Sequence, residues 1–333
     1  MRICRLKLIW VISTLMILWG ASSQAKQIIK PPIPASEQIV VWMRVSQVSQ
    51  DRYLSGLLLQ NNVVSDYLKL LKLDPSKIER LTFMMPFDKD WFNGQQGGYI
   101  PSALPKNGAF VIAGDFDLKA EFRNIKSKGW KEQSYSNKKV LWWSTGTNYY
   151  RNPRSGQCLG QISGEGLVVA GSVECMRNIL DVAGGKLPGL PDNSAYDLIY
   201  QDFTSDSSRL GSMFIQVTPD MRALIKDEAA AAKSLAARTA FSYVDNLNES
   251  GLSIARRGDG FLLYGYLGID TENNSMIAAG ILQLGGGLAS LFPPDDPNRN
   301  VLENLDISRQ GKLVILQTDI TGPRLLSLLG RSK

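Results

Sequence analysis

Residues 108–130 read GAFVIAGDFDLKAEFRNIKSKGW. Gly108 to Gly114 is a short apolar run bounded by glycines, the pattern of a buried strand. Asp115-Phe116-Asp117 then turns the chain, and Asp117 sits where an N-cap side chain accepts the unpaired N–H groups of a helix start. The helix predicted from there runs from Leu118 to about Lys128, and Gly129 ends it. Trp130 to Tyr135 returns as a strand, Ser136-Asn137-Lys138 is a hairpin turn, and Val140 to Ser144 is the next strand.

Working outward, a Gly/Pro/Arg-containing loop precedes a second buried strand, Gly166 to Gly171 (GLVVAG). A helix from Glu174 to Val182 follows, closed by Gly184-Gly185. Upstream, Gln38 to Val45 and Ile78 to Met85 read as strands. Ser65 to Lys72 reads as a short helix stopped by Asp74-Pro75, and Asn93 to Gly98 as a loop. Downstream, similar grammar recurs. Gly211 to Val217 is a strand, and Thr218 caps a helix whose first residue, Pro219, loses no hydrogen bond there. The alanine run 229–232 favours extending that helix, to as far as Leu247. Leu252 to Arg257 and Gly260 to Ile269 form a hairpin around Gly258-Asp259, and Glu272 to Leu284 is a helix stopped by Gly285-Gly286-Gly287. Leu305 to Ser308 and Lys312 to Thr318 flank the turn Arg309-Gln310-Gly311, and Pro323 to Leu329 closes the chain as a helix. Strands and helices alternating with antiparallel hairpins predict an α+β fold. The expected form is two tandem modules of antiparallel sheet packed with helices, residues 26–190 and 191–333, parted near Leu187-Pro188-Gly189-Leu190-Pro191.

The first 25 residues predict an export signal. Arg2, Arg5 and Lys7 precede an apolar run from Leu8 to Trp19, and Ser23-Gln24-Ala25 has the small-residue spacing of a cleavage site. The run is about a dozen residues, and a bilayer-spanning helix needs roughly 20. Cleavage after Ala25 is expected, the alternative being an uncleaved anchor. The chain carries 37 basic and 31 acidic residues, a net of +6, of which three positive charges leave with the signal. So mild a balance argues against a nucleic-acid surface. No later segment is apolar enough to span a membrane. The mature chain is expected in the periplasm or outside the cell, where its cysteines, Cys158 and Cys175, are expected to form a disulfide. Two separate buried thiols are the alternative.

The segments VIAGDFDLKAEFRNIKSKGW and LVVAGSVECMRNILDVAGGK, with the closing NVLENLDISRQGKLVILQTDITGPRLLSLL, resemble a group of uncharacterised exported bacterial envelope proteins. These share a strand-to-helix element, a strand leading into a helix that ends in Gly-Gly-Lys, and a closing strand–turn–strand–helix. The resemblance covers about half the chain and implies a duplicated α/β module in the bacterial envelope. It implies no catalytic residue.

Histidine is absent, which removes Ser-His-Asp triads, Cys-His dyads and histidine-containing zinc sites irrespective of fold. Ser136-Asn137-Lys138-Lys139 matches S-x-x-K but falls in a turn, where that motif needs a helix start. Gly251-Leu252-Ser253-Ile254-Ala255 only loosely matches a nucleophile elbow. Asp115 with Asp117, and Asp295 with Asp296, are too few oxygens for calcium and read as cap and turn chemistry. No glycine-rich phosphate loop follows a strand, and Gly285-Gly286-Gly287 lies at the wrong end of its helix. No cofactor and no metal is expected. The suggestive stretch is Lys138 to Arg154 (KKVLWWSTGTNYYRNPR). Adjacent strand residues point to opposite faces, so Trp142 and Trp143 cannot enter one core. With the loop Thr145–Arg154, they make Trp142, Trp143, Tyr149, Tyr150, Arg151 and Arg154 the candidate binding residues, the alternative being that a sandwich covers both tryptophans. The expected function is non-enzymatic binding of an envelope protein or cell-wall component. The rivals are a hydrolase built on Ser, Asp or Glu, and a structural scaffold.

Overall fold

The computed structural model describes residues 32–36, 38–55, 68–69, 71–87, 104–115, 117–135, 148–162, 166–190, 194–231, 244–286 and 304–328. The expected signal, the Asn93–Gly98 loop, the Ser136–Lys138 turn, the strand carrying Trp142 and Trp143, and the Asp295-Asp296 pair lie outside them. The described residues combine helices with antiparallel sheet, an α+β fold. They divide into two compact units, one holding residues 32–86 and 104–190, the other residue 87 and those from 194 onward.

The first unit contains β1 (Ile39–Met43), β2 (Ile78–Met85), β3 (Ala109–Gly114), β4 (Lys131–Ser134), β5 (Asn148–Arg151), β6 (Cys158–Ile162) and β7 (Gly166–Ala170). They pair antiparallel in the order β1-β2-β3-β7-β6-β5-β4. Helix α1 (Val45–Val48) follows β1, α2 (Leu118–Ser127) links β3 to β4, and α3 (Val173–Ala183) follows β7. The strand read from residues 108–114 is bonded on both edges, with Phe110 opposite Phe83 on β2 and Val169 on β7. With Phe110, Val111 and Ile112 all buried, a polar residue there would lack a partner, which accounts for its wholly apolar composition. Asp117 Oδ1 accepts the Ala120 N–H at 3.2 Å, the cap expected of it, and Gly129 turns out of α2 with φ +83°. The unit's two ends meet where the Leu190 N–H donates to the Ile33 carbonyl at 2.8 Å.

Three expectations need correcting in this unit. The presumed loop Thr145–Arg154 contains β5, which pairs with β4 and β6. Cys158–Ile162, not predicted as a strand, is β6. Its apolar run is broken by Gly160 and Gln161, and a Cβ at Gly160 would lie 3.2 Å from Met176 Sδ on α3, a tight approach to the flexible end of a side chain. Cys158 and Cys175 are unbridged thiols, both buried. Cys158 Sγ lies 3.6 Å from the Gly156 carbonyl, while Cys175 Sγ lies 3.5 Å from that of Asn107. Burial pushes the Cys158 thiol up to about 11, against the pull of Arg151 and Arg177, leaving almost no thiolate at neutral pH.

The second unit contains β8 (Arg209–Gln216), β9 (Leu247–Arg257), β10 (Gly260–Ile269), β11 (Asp306–Gln310) and β12 (Leu313–Thr321). They pair antiparallel in the order β8-β9-β10-β12-β11. Its helices are α4 (Ser194–Ser205), α5 (Pro219–Ala231), α6 (Glu272–Gly286) and α7 (Gly322–Leu328). Thr218 Oγ1 accepts the Met221 N–H at 3.3 Å, and the hairpin turns use Gly258 at φ +56° and Gly311 at φ +57°. Helix α4 was not predicted. It buries Tyr196, Ile199 and Phe203, with Tyr196 meeting Phe214 of β8 edge to face at 5.3 Å. The helix expected to reach Leu247 does not. Val244–Asn246 is a 3-10 turn and Leu247 opens β9. Leu247 faces Ile269 of β10 and Glu249 faces Gln216 of β8. Those ladder bonds outweigh the helical bias of the alanine run upstream.

Candidate functional site

Of the six candidate binding residues, Trp142 and Trp143 lie outside the described residues. Tyr149, Tyr150 and Arg151 lie on β5, and Arg154 lies in the turn to β6, where its N–H donates to Asn152 Oδ1 at 2.9 Å. The tyrosines are not offered to a ligand: Tyr149 is 2% and Tyr150 9% exposed. Strand alternation sends them to opposite faces and both faces are covered. The Tyr150 ring stacks on Phe122 of α2 at 5.1 Å, with Lys126 Nζ 5.4 Å from its centre. Lys126 pairs with Glu132 at 2.6 Å on that face. The Tyr149 side belongs to α3, since the Cβ position at Gly160 touches both Tyr149 and Met176. Arg151 and Arg154 are exposed.

What the structure gathers around Arg151 is a cationic surface. Registered partners on neighbouring strands share a face, and Lys131 of β4, Arg151 of β5 and Cys158 of β6 stand in one row. The charges of Arg151 and of Arg177 on α3 both pull the Cys158 thiol down. The Tyr135 hydroxyl, just past β4, donates to Asp181 Oδ1 on α3. Burial, then that hydrogen bond, push the Tyr135 phenol up to about 12. Lys186 Nζ lies 3.5 Å from the same carboxylate oxygen and 5.5 Å from the Tyr135 ring centre, with Arg177 at 6.0 Å from it. Asp181 is thus taken up by a phenol and a lysine. Among the described residues Lys131, Arg151, Arg154 and Arg177 make no ion pair. Glu174, exposed one turn before Arg177, forms none with it. Sequence reasoning found Arg151 and Arg154 but missed Lys131, Tyr135, Arg177 and Lys186. Lys131 and Tyr135 come from β4 and its end, Arg177 and Lys186 from α3 and the segment after it, and no spacing in the chain relates the two pairs.

A second polar centre lies inside the other unit. Arg209, 5% exposed, donates to Tyr266 Oη at 3.0 Å and to Asp202 Oδ2 at 3.2 Å. Tyr266 donates to the same Asp202 oxygen at 2.8 Å. Arg209 Nε faces Asp206 Oδ2 at 3.4 Å, an ion-pair distance without hydrogen-bond alignment. The guanidinium lies 3.6 Å from the Tyr264 ring centre. Burial raises the Asp206 carboxyl, but hydrogen bonds from Ser208 and the Arg209 charge overcome it and hold the group below its ordinary value. Burial also pushes the Tyr266 phenol up. With its cation engaged by two carboxylates, a phenol and a ring, this network ties α4 to β8 and β10. Among the described residues no group of three or more Cys, Asp or Glu is placed to hold a metal ion, and no helix is long and apolar enough to cross a membrane.

No protein-family model and no curated protein sequence matches the chain. Solved structures of TP0453 do match. Its crystal form III superposes with a TM-score of 0.50 at 12% identity, covering 91% of this chain and 99% of that one. Crystal form I gives a TM-score of 0.49 at 14% identity, covering 91% and 98%. At such identities the likeness is one of fold alone.

Proposed function

We propose that the protein is an exported, non-enzymatic component of the bacterial envelope. It is built of two tandem α+β modules, and it captures a protein or cell-wall partner through the β4–β5 end of the first. The observation that carries this reading is the set of exposed cations Arg151, Arg154, Lys131 and Arg177, without an ion pair among the described residues. Exposed charge left without an ion-pair partner is a feature of surfaces that meet a complementary one. The lack of histidine and the closed bonding of the Arg209 network speak for binding over catalysis. The apolar run ending at Ser23-Gln24-Ala25, and the resemblance to exported envelope proteins, support the compartment.

The test compares two kinds of variant in one assay. Arg151→Ala and Arg154→Ala should leave the melting temperature unchanged and lose partner capture from envelope extract. Tyr149→Ala and Tyr150→Ala should instead lower the melting temperature, because each removes a buried aromatic worth about 3–5 kcal/mol. Full capture by both arginine variants sinks the reading.

A further inference from the structure

We infer that the N-terminal segment, residues 32–36, is a strap over the chain that joins the two units. Closed, it pins that chain to the first unit; open, it lengthens the free tether between them. Ile33 is 2% and Leu190 7% exposed, and the Leu190 N–H donates to the Ile33 carbonyl at 2.8 Å. Beside that bond, Pro34 and Gly189 form an isolated antiparallel bridge. The fit is close, since a Cβ on Gly189 would lie 3.2 Å from the Ile33 carbonyl oxygen and 3.3 Å from Val182 Cγ1 on α3. The chain just before is tied by other means. The Lys186 and Leu187 N–H groups both donate to the Asp181 carbonyl, at 2.7 and 3.3 Å, and Lys186 Nζ lies 3.5 Å from the Asp181 carboxylate. Leu187 is therefore held to α3 by the helix itself, whereas the Leu190 N–H is held by the strap.

Two properties suit this contact to opening and closing. The pairing is a bridge and not a ladder, and neither Pro34 nor Pro188 has an N–H with which to extend it. A segment held by so few contacts opens locally, at a fraction of the free energy of unfolding the unit. Both sides are also preset for closing. A residue before proline is restricted to extended backbone, and this applies to Ile33 before Pro34 and to Leu187 before Pro188, so little chain entropy is lost when the two meet. The consequence is one of reach. Helix α4 of the second unit begins at Ser194. At about 3.6 Å per extended residue, the chain can span at most about 14 Å from Leu190 to Ser194, and about 25 Å from Leu187 to Ser194. Opening the strap moves the fixed point from Leu190 back to Leu187 and so nearly doubles the tether.

Amide hydrogen exchange on the whole mature chain, residues 26–333, reads the strap directly. In the wild type the Leu190 amide should be protected, but less than the amides of β3 and β7. Ile33→Ser should speed its exchange about tenfold or more, because the strap loses its buried side chain. Pro34→Gly keeps that side chain and removes only the presetting, and should speed exchange about two- to fivefold. Protection on β3 and β7 should stay as it is in both variants. Thermolysin, which cuts before large apolar residues in extended chain, should cleave before Leu190 in Ile33→Ser and spare that bond in the wild type. Unaltered Leu190 exchange in both variants overturns the inference. So does Leu190 protection lost in step with that of β3 and β7, which would make the segment an inseparable part of the unit. Resistance to thermolysin before Leu190 in Ile33→Ser overturns it too, since the joining chain would then be held without the strap.

Discussion

Glu249 shows how one carboxylate can hold an element and still burden it. It accepts the Ala195 N–H at 3.3 Å, satisfying a donor at the start of α4. Gly268 packs so near that a Cβ there would lie 2.8 Å from the Glu249 Cβ. Burial raises the Glu249 pKa, the hydrogen bond from Ala195 pulls it down, and the nearby Asp197 charge pushes it up again, leaving it above its ordinary value. A carboxyl raised on folding favours the native state while protonated, and that contribution is lost as pH rises through the folded pKa. Glu249→Gln keeps an acceptor for Ala195 and removes the buried charge. The variant should match wild type in acid and exceed it in melting temperature at pH 7, with the gap opening as pH rises through the carboxylate range. A pH-independent difference would show that the charge is not the cause. Asp206 has the opposite sign, since its depressed pKa adds stability that is lost as pH falls.

At the scale of elements, junctions carry the constraint. The chain leaves β7 through Gly171 and enters α3 at Ser172, whose hydroxyl accepts the Cys175 N–H at 3.2 Å. The Gly171 N–H donates to the Gly108 carbonyl at 2.9 Å, drawing the start of β3 against the end of β7. A Cβ on Gly171 would lie 1.8 Å from the Pro105 carbonyl oxygen. That atom is backbone, and no rotamer change removes the clash. Gly171→Ala should therefore destabilise by at least the 1–3 kcal/mol typical of overpacking, about that much in urea denaturation. Gly185→Ala, at φ +69° in open space, should lose only about 1 kcal/mol through backbone strain. Equal losses would mean that the close approach to Pro105 does not hold in solution. Of these junctions, Gly129, Gly258 and Gly311 were legible as turn glycines from sequence. Gly171 reads the same way in sequence, and only its neighbour Pro105 shows why nothing else fits.

At the scale of the whole molecule, the described residues divide into two compact units. Phe110, Leu159 and Val168 belong to one, and Phe203, Phe214 and Phe261 to the other. Independent folding of the two units predicts more than one calorimetric transition, with a calorimetric enthalpy above the van't Hoff value. Arg209→Ala breaks a buried pair and should lower one transition by about 10 °C, from a loss of about 3 kcal/mol, leaving the other in place. A single transition displaced as a whole would argue for one cooperative body. Sequence by itself determined what depends on neighbours along the chain. The Asp117 and Thr218 caps, the glycine turns and the two hairpins of the second unit are set by local hydrogen bonding and allowed backbone angles. The absence of histidine likewise excluded whole classes of chemistry without any fold. Tertiary structure alone decided what depends on distant partners. β5 and β6 are strands because other strands and α3 receive them, and the run toward Leu247 ends in a strand because β8 and β10 supply its ladder. Cys158 and Cys175 each face carbonyls of their own surroundings. Lys131 stands opposite Arg151 because β4 pairs with β5, and Arg177 and Lys186 reach the Tyr135 ring because α3 and the segment after it pack there, proximities that no local rule encodes.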